Sequence, residues 1–323
     1  MKLSLIIPCY NEESNIEPLY KSLRSTLDGQ VEDYELVYIN DGSTDKTLDR
    51  LNELSKSSEI PITIVNFSRN FGKEAGIYAG LKNAQGDYIT LIDADLQQNP
   101  KFVLKMVNLL DEHPEYDCVA AYQEERKESK FNIFCKNMFY KIINKISDTT
   151  FVNGASDFRT FRRCMANAIL EMSEYHRFSK GIFSWVGFNT YYMPYDVEER
   201  LSGTSKWSFI KLCKYAIEGF VAFTTAPLRI SSLIGIFSSV LSLIYLVVVV
   251  IQKLAFGIAV PGYATIVVLI LLIGGLQLSS LGIMGEYLAC TYLQSKNRPI
   301  YIARDIIRNK DNTENSGNSE KRD

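Results

Sequence analysis

Short apolar runs alternate with segments of helical periodicity along the first 120 residues of the chain. The runs are rich in β-branched residues and end at turn-forming residues, which predicts buried strands. These strands are expected at 3–8, 34–39, 62–67, 88–92 and 117–121. The segments between them carry apolar residues every three or four positions, as at Ile16, Leu19, Leu23 and Leu27, which predicts helices. Strands and helices alternating at this spacing predict a parallel, doubly wound α/β sheet.

Two long apolar segments occupy the C-terminal third of the chain. No charged residue lies between Arg229 and Lys253 or between Lys253 and Glu286, and Pro261-Gly262 interrupts the second segment. Each segment supplies the ~20 apolar residues that are needed to cross a bilayer. We therefore predict two membrane helices, near 231–252 and 263–285. The alternative is a helical hairpin buried in a soluble core.

Positive charges flank this hairpin on both sides, which predicts that the preceding and following segments are both cytoplasmic. They are Lys206, Lys211, Lys214 and Arg229 before it, and Lys296, Arg298, Arg304 and Arg308 after it. The resulting division is a cytoplasmic head (1–229), the two membrane helices (230–285), a cytoplasmic helix or strand (286–310) and a disordered tail (311–323).

The predicted head has an acidic first part and a basic second part. Residues 1–125 hold 11 basic and 22 acidic residues, whereas residues 126–229 hold 16 basic and 9 acidic ones. Segments 124–145 and 205–228 are expected to be amphipathic helices at the membrane interface, and an ordinary surface helix is the alternative for the first. Because the basic part directly precedes the apolar segments, anionic lipid headgroups are favoured over nucleic acid as its partner.

Cysteine, histidine and glycine patterns exclude several classes of protein. The six cysteines include no Cys-x-x-Cys pair and there are two histidines, so a zinc site or a disulfide framework is disfavoured. No Gly-x-Gly-x-x-Gly or Walker A sequence follows a strand, which disfavours dinucleotide dehydrogenases and P-loop ATPases. The apolar run after Lys2 ends at Pro8, so no signal peptide is expected.

Carboxylates follow three of the predicted strands. Asp93 and Asp95 come after the fourth strand, Glu12 after the first and Asp41 after the second. Because ligands bind at the carboxyl ends of strands in open α/β sheets, these side chains should line one cleft. Asp93 and Asp95 suit Mg²⁺ or Mn²⁺ held against a diphosphate, with a solvated acidic turn as the alternative. Acceptors such as Asp41 and Glu12 suit a uracil N–H or ribose hydroxyls.

The motifs together resemble glycosyltransferase family 2, the inverting GT-A fold. They are Pro8-Cys-Tyr-Asn-Glu12, Asn40-Asp-Gly-Ser-Thr-Asp45, Asn70-Phe-Gly-Lys-Glu74 and Asp93-Ala-Asp-Leu-Gln97. Asp157-Phe-Arg159, the segments 180–187 and 199–206, and the apolar hairpin narrow the resemblance to polyprenyl-phosphate glycosyltransferases of the bactoprenol glucosyltransferase type, related to dolichyl-phosphate mannose synthases. The resemblance implies a GT-A doubly wound mixed sheet followed by a two-helix transmembrane hairpin.

The resemblance also implies a role for each matching residue. Asp157, Asp95 and Arg200 take catalytic positions, with Asp157 as the base. Asp95, with Asp93, takes the position of the ligand for Mg²⁺ or Mn²⁺. The nucleotide-sugar would contact Pro8, Tyr10, Glu12, Asp41, Asp93, Gln97 and Arg126, and the acceptor phosphate or diphosphate would contact Arg200, Ser205 and Lys206. The alternatives are that Pro8 merely ends a strand, that Asp157 pairs with Arg159 or Arg162, and that Arg200 and Lys206 are membrane-facing cations.

The reaction implied is transfer of glucose or N-acetylglucosamine from a UDP-sugar to undecaprenyl phosphate at a bacterial cytoplasmic membrane. Homo-oligomers, with a tetramer foremost, are expected by the same resemblance, and the segment 298–302 is expected to form a strand that pairs with a neighbouring protomer. The alternatives are a GDP-mannose-dependent polyprenyl-phosphate mannosyltransferase and a non-catalytic membrane scaffold. A processive polysaccharide synthase is disfavoured because the chain lacks its Gln-x-x-Arg-Trp motif.

Overall fold

A computed structural model of the chain describes residues 2–122, 154–175, 177–195, 224–256 and 262–309, with a few isolated positions between 138 and 152. Several predictions lie outside these residues. They concern Arg126, Arg200, Ser205 and Lys206, most of the two interfacial helices, and the tail from 311.

The described residues form an α/β head and two long apolar helices. The strands are β1 (Lys2–Cys9), β2 (Asp33–Asn40), β3 (Ile62–Phe67), β4 (Tyr88–Leu91), β5 (Cys118–Tyr122), β6 (Ala155–Arg162), β7 (Thr190–Pro194) and β8 (Ala303–Arg308). The helices are α1 (Ile16–Leu27), α2 (Thr47–Ser57), α3 (Lys73–Asn83), α4 (Lys101–Glu112), α5 (Arg163–Glu171), α6 (Ser179–Trp185), α7 (Ala226–Phe256) and α8 (Tyr263–Ser295).

The strands form one mixed sheet in the order β7-β5-β6-β4-β1-β2-β3-β8. The centre, β4-β1-β2-β3, is parallel, as predicted from the alternation of strands and helices. β6 lies antiparallel between β4 and β5, and β8 lies antiparallel beside β3. The sheet is therefore doubly wound and mixed, which confirms the fold class.

Alternate residues of the central strands pack on opposite faces of the sheet, because successive side chains of a strand point to opposite sides. On β1, Leu3, Leu5 and Ile7 pack with α1, α2 and α4, whereas Ile6 packs on the other face with α3, α5 and α6. Both faces are covered, so these strands are apolar almost throughout.

The two apolar helices, α7 and α8, are 31 and 33 residues long. By length and composition both could cross a membrane, and none of their apolar windows is buried inside the protein. A hairpin buried in a soluble core is therefore excluded for the described chain. Both helices extend beyond their predicted bounds: α7 begins at Ala226, before the first membrane-length run, and α8 continues to Ser295.

The strand that follows α8 differs from its prediction in position. It is formed by Ala303–Arg308 rather than by 298–302, and it pairs with β3 of the same chain. Asn66 Nδ2 donates to Asp305 Oδ1 at 2.8 Å across this pair, and the rings of Phe67 and Tyr301 stack at 4.9 Å between centroids. The predicted position was wrong because the edge of β3 offers these partners to residues further along the chain, and pairing of 298–302 with a neighbouring protomer stays a prediction. The oligomeric state stays a prediction.

A clamp between the ends of β2 and β3 sets the start of α3. The carboxylate of Asp41 accepts the backbone N–H of Phe71 at 2.6 Å and that of Gly72 at 3.0 Å. The backbone at position 42 lies so close to that of Arg69 that only glycine fits, because a Cβ at position 42 would lie 2.4 Å from the carbonyl carbon of Arg69. Gly72 adopts a φ of 94°, a left-handed conformation that glycine tolerates without a Cβ penalty. The first residue of α3, Lys73, is thereby fixed at the carboxyl edge of the sheet.

Gly80→Ala is expected to destabilise the head, because a Cβ at this position would lie 2.1 Å from Ile6 Cγ2. Overpacking of this kind costs about 1–3 kcal/mol. The matched control is Gly76→Ala on the same helix, where a Cβ would lie 3.5 Å from Pro8 Cβ, an ordinary contact. Thermal unfolding of both variants in detergent measures the difference, and equal midpoints would contradict the close packing of α3 on β1.

Asp41→Asn is expected to loosen the connection between β3 and α3. An amide keeps one acceptor oxygen and turns its NH₂ group toward the second backbone N–H, so one buried hydrogen bond is lost at a cost of about 1–3 kcal/mol. Hydrogen–deuterium exchange of a peptide spanning 68–74 should become faster. Asp49→Asn, at an exposed position of α2, is the control. Unchanged exchange in the Asp41 variant would show that the clamp does not hold this connection.

Candidate active site

The carboxyl ends of β1, β2 and β4 meet at one edge of the sheet. Cys9 pairs in register with Asn40, and Ile6 with Leu91, so the chain leaves all three strands on the same side. The structure therefore brings together the segments that carry the predicted residues of the first, second and fourth strand ends: Pro8, Tyr10, Glu12, Asp41, Asp93, Asp95 and Gln97. The shared edge that the sequence predicts is confirmed, and a cleft lined by all of these side chains stays a prediction.

The loop after β4 is a tight turn that presents its two carboxylates. Gln98 closes it: the side-chain Nε2 donates to Asp93 Oδ2 at 3.0 Å, and Gln98 Oε1 accepts the Asp93 N–H at 2.9 Å. Asp95 Oδ1 accepts the N–H of Gln97 at 3.2 Å. Leu96 has a φ of 60°, a left-handed conformation that is rare for a residue with a side chain. The turn fixes Asp93 and Asp95 close to β4.

Asp157 joins these carboxylates from a strand that runs in the opposite direction. β6 pairs antiparallel with β4, with Arg159 opposite Leu91, so the start of β6 lies beside the end of β4. The ammonium of Lys73 lies between the two, with Nζ 2.7 Å from Asp93 Oδ1 and 3.1 Å from Asp157 Oδ2. One cation thus bridges carboxylates from two strands.

The predicted alternative for Asp157, an ion pair with Arg159 or Arg162, is wrong within the described part of the chain. The guanidinium of Arg159 donates to the carbonyl of Ser156 at 2.8 Å and stacks on the ring of Phe183. Arg162 donates instead to the carbonyls of Leu110 and Tyr116. The cation paired with Asp157 is Lys73.

The charges around Asp157 keep its carboxyl group ionised. Burial by itself raises the pKa of Asp157, but Lys73, Lys180 and Arg159 together lower it to about 2. Burial also lowers the pKa of Lys73, and the two carboxylates Asp93 and Asp157 outweigh this and raise it above its ordinary value. At neutral pH Asp157 is therefore a carboxylate and Lys73 an ammonium.

Asp41 and Glu12 have structural partners at this edge. Burial raises the pKa of Asp41, while the N–H groups of Phe71 and Gly72 and the charge of Arg69 act against that rise. Glu12 Oε2 accepts a hydrogen bond from Asn15 Nδ2 at 2.6 Å. Both carboxylates therefore organise the loops around the cleft, and their contact with uridine stays a prediction.

Pro8 and Tyr10 lie on either side of the end of β1. β1 ends at Cys9, so Pro8 is its penultimate residue, and the contact of Pro8 with uridine stays a prediction. Tyr10, the first residue after β1, is 46 % exposed.

Two residues of this site were missed from the sequence, Lys73 and Gln98. Lys73 lies inside the motif that spans Asn70–Glu74 but was given no role. Its position as the first residue of the helix after β3 places it at the same edge as the carboxylates, and this was the available signal. Gln98 follows Asp93 by five residues, and its contact depends on the turn at Leu96, which the sequence pattern does not show.

A divalent cation at this edge would be bound jointly by protein carboxylates and substrate phosphates, rather than by protein side chains alone. Within the described ranges, no group of three or more His, Cys, Asp or Glu side chains could hold a metal ion. The turn after β4 carries two carboxylates, Asp93 and Asp95, and Mg²⁺ is commonly held by one or two carboxylates together with substrate phosphates. The donor set of the site fits such a cation.

Comparison with known proteins gives consistent relatives over the whole chain. The profile described as Glycosyl transferase family 2 matches residues 4–170. "Putative glycosyltransferase CsbB" from Bacillus subtilis (strain 168) is 42 % identical over 311 residues, covering 96 % of this chain and 93 % of that protein. "Bactoprenol glucosyl transferase" from Shigella phage SfV is 37 % identical over 305 residues, covering 94 % of this chain and 98 % of that protein.

Solved structures similar to this chain are more distant. The structure of S. aureus TarS 1–349 has 20 % sequence identity and a TM-score of 0.42, covering 60 % of this chain and 58 % of that chain. Glucosyl-3-phosphoglycerate synthase from Mycobacterium tuberculosis, solved with Mn²⁺, UDP-glucose and phosphoglyceric acid, has 17 % identity and a TM-score of 0.45, covering 67 % and 76 %.

The profile match covers about half of the chain, and it includes every strand end that carries a described site residue. The relatives extend the similarity over both apolar helices and β8. The chain therefore belongs to glycosyl transferase family 2 and is a glycosyltransferase.

Proposed function

We propose that the protein is an inverting, membrane-anchored hexosyltransferase. It moves glucose or N-acetylglucosamine from a UDP-sugar to a polyprenyl phosphate, undecaprenyl phosphate in a bacterial cytoplasmic membrane, and leaves UDP. The observation that carries this proposal is the meeting of Asp157 with the Asp93–Asp95 turn, in a chain whose two long apolar helices could hold it at a lipid acceptor.

The relatives support this acceptor and favour glucose. The phage protein named bactoprenol glucosyl transferase aligns over 94 % of this chain. The alignment is long enough to include the head and the apolar helices, so the acceptor can be proposed for the whole chain rather than for one domain.

The acceptor phosphate is an adequate nucleophile without a strong base. A phosphate monoester has a second pKa of about 6, so it is mostly a dianion at neutral pH. Asp157, with a pKa of about 2, is a weak base. Its proposed role is therefore to position the acceptor and Lys73, rather than to remove a proton. The acceptor oxygen attacks the anomeric carbon opposite the diphosphate, so an α-linked donor gives a β-linked product.

The donor lies along the carboxyl edge of the sheet in this proposal. Pro8, Tyr10, Glu12 and Asp41 surround the uridine, and Gln97 lines the sugar pocket. Asp93 and Asp95 would hold a divalent cation, which when bound would offset the charge that develops on the leaving UDP. Arg126, Arg200, Ser205 and Lys206 are proposed to contact phosphate groups of the donor or acceptor.

The head and the segment after α8 are proposed to be cytoplasmic, with the connection between the two apolar helices outside. The support is the positive charge before α7 and after α8.

In intact cells, a membrane-impermeant maleimide should label a cysteine placed at Ala259 and should leave Cys164, an exposed residue of the head, unlabelled. Labelling of Cys164 in intact cells would contradict this orientation.

The test of the function is UDP release by purified protein in lipid with undecaprenyl phosphate, across a panel of UDP- and GDP-sugars. Release with one UDP-sugar, dependent on the lipid and abolished by EDTA, would support the proposal and name the donor. Release with GDP-mannose alone would replace it by the mannosyltransferase alternative. No release with any donor would favour the non-catalytic scaffold.

Asp95→Asn should reduce lipid-dependent release of UDP by about 100-fold or more, because the amide removes one charged ligand of the cation. The protein should stay folded, since the turn after β4 is closed by Gln98 and Asp93. Asp49→Asn, at an exposed position of α2, is the matched control and should retain activity. Equal activity in the two variants would remove Asp95 from the site.

A further inference from the structure

Lys73 is held in place more firmly than an ordinary surface lysine. The clamp by Asp41 fixes Phe71 and Gly72, the two residues before Lys73. Gly42 lets the segment that follows β3 lie close to the end of β2. Its ammonium then spans two carboxylates that belong to different strands. Its position is therefore set by the backbone and by the sheet, and not by the side chain alone.

The ammonium has capacity left for a further partner. It carries three N–H donors, and the two described ion pairs use two of them. The side chain of Lys73 remains 43 % exposed, and those of Asp93 and Asp157 are 31 % and 25 % exposed. A ligand entering between the two carboxylates can therefore reach the ammonium.

On the side of the sheet that faces α3 and α6, Asp157 lies among charges of both signs, which include the carboxylates of Asp93 and Glu74. Lys180 and Arg159 act on Asp157 together with Lys73. Arg159 is 5 % exposed, its Nε has no hydrogen-bond partner, and no carboxylate in the described ranges lies within ion-pair distance of its guanidinium. Positive charge of this kind suits an anionic ligand.

A carboxylate next to a phosphate dianion is unfavourable unless a cation stands between them. The proposed transfer requires this approach, because the acceptor phosphate has to reach the sugar beside Asp93 and Asp157. We propose that Lys73 binds a phosphate oxygen of the reacting substrates with its third N–H, while its other two donors keep Asp93 and Asp157 at a fixed separation. This inference rests on the proposed function and adds a phosphate-binding residue to it.

Two phosphates could supply this oxygen, the acceptor monoester and the donor diphosphate. Both present the same chemistry to an ammonium, so the experiment separates them by measuring each ligand on its own. The variants are Lys73→Met, which keeps most of the length of the side chain and removes its charge, and Lys73→Arg, which keeps a charge and N–H donors. Lys82→Met is the matched control, since Lys82 lies on the same helix and is exposed.

Steady-state kinetics give KM for polyprenyl phosphate and for the UDP-sugar, and calorimetry gives the dissociation constants of UDP with Mn²⁺ and of a short-chain polyprenyl phosphate. Loss of a charged hydrogen bond corresponds to about 10- to 100-fold in affinity. We expect Lys73→Met to weaken one phosphate ligand by this factor, Lys73→Arg to restore part of it, and Lys82→Met to leave both unchanged. The weakened ligand identifies the phosphate that Lys73 binds.

Equal affinities for both ligands in Lys73→Met and Lys82→Met would overturn the inference, even if kcat fell, because Lys73 would then only hold the carboxylates. A loss that Lys73→Arg does not restore, accompanied by a lower unfolding midpoint, would also overturn it and indicate a structural role. If the wild type binds the ligands but transfers no sugar, the proposed function fails, and the binding measurements still decide the role of Lys73.

Discussion

The shared ammonium of Lys73 is the interaction on which the candidate active site depends. Asp93 and Asp157 come from strands that run antiparallel, and without a cation between them their charges would repel across the cleft. The same cation keeps Asp157 ionised. Its position depends in turn on Asp41, so one carboxylate at the end of β2 organises a site whose other members follow β4 and begin β6.

The chain returns to this head after the two apolar helices. Asn40 Nδ2 donates to Asn66 Oδ1 at 2.8 Å, and Asn66 donates to Asp305 at the same distance, so a row of amide contacts runs from the cleft edge of β2 to β8. Gln294, near the end of α8, accepts the N–H of Tyr175 at 2.7 Å and donates to the carbonyl of Ser173 at 3.1 Å. The helix end and β8 therefore fix the head to the segment that could anchor it in a membrane.

The charged residues of the candidate active site suit the anionic substrates of the proposed glycosyl transfer. In the proposed transfer a phosphate acceptor displaces the diphosphate from a sugar, so the residues of the site have to accommodate several negative charges. Carboxylates dominate its described part, and the cations Lys73, Lys180 and Arg159 lie on the face next to Asp157. A divalent cation at Asp93 and Asp95 would complete this balance on the donor side.

The sequence by itself determined the parallel core of the sheet, the two apolar helices and the edge at which the carboxylates meet, because these follow from local periodicity and from strand ends. Tertiary structure alone decided the bridge by Lys73, the closure of the turn by Gln98 and the pairing of β8 with β3. Each of these joins residues from separate strands or depends on a left-handed backbone position such as Leu96. Local patterns carry no record of such contacts, since their geometry exists only after the sheet has formed.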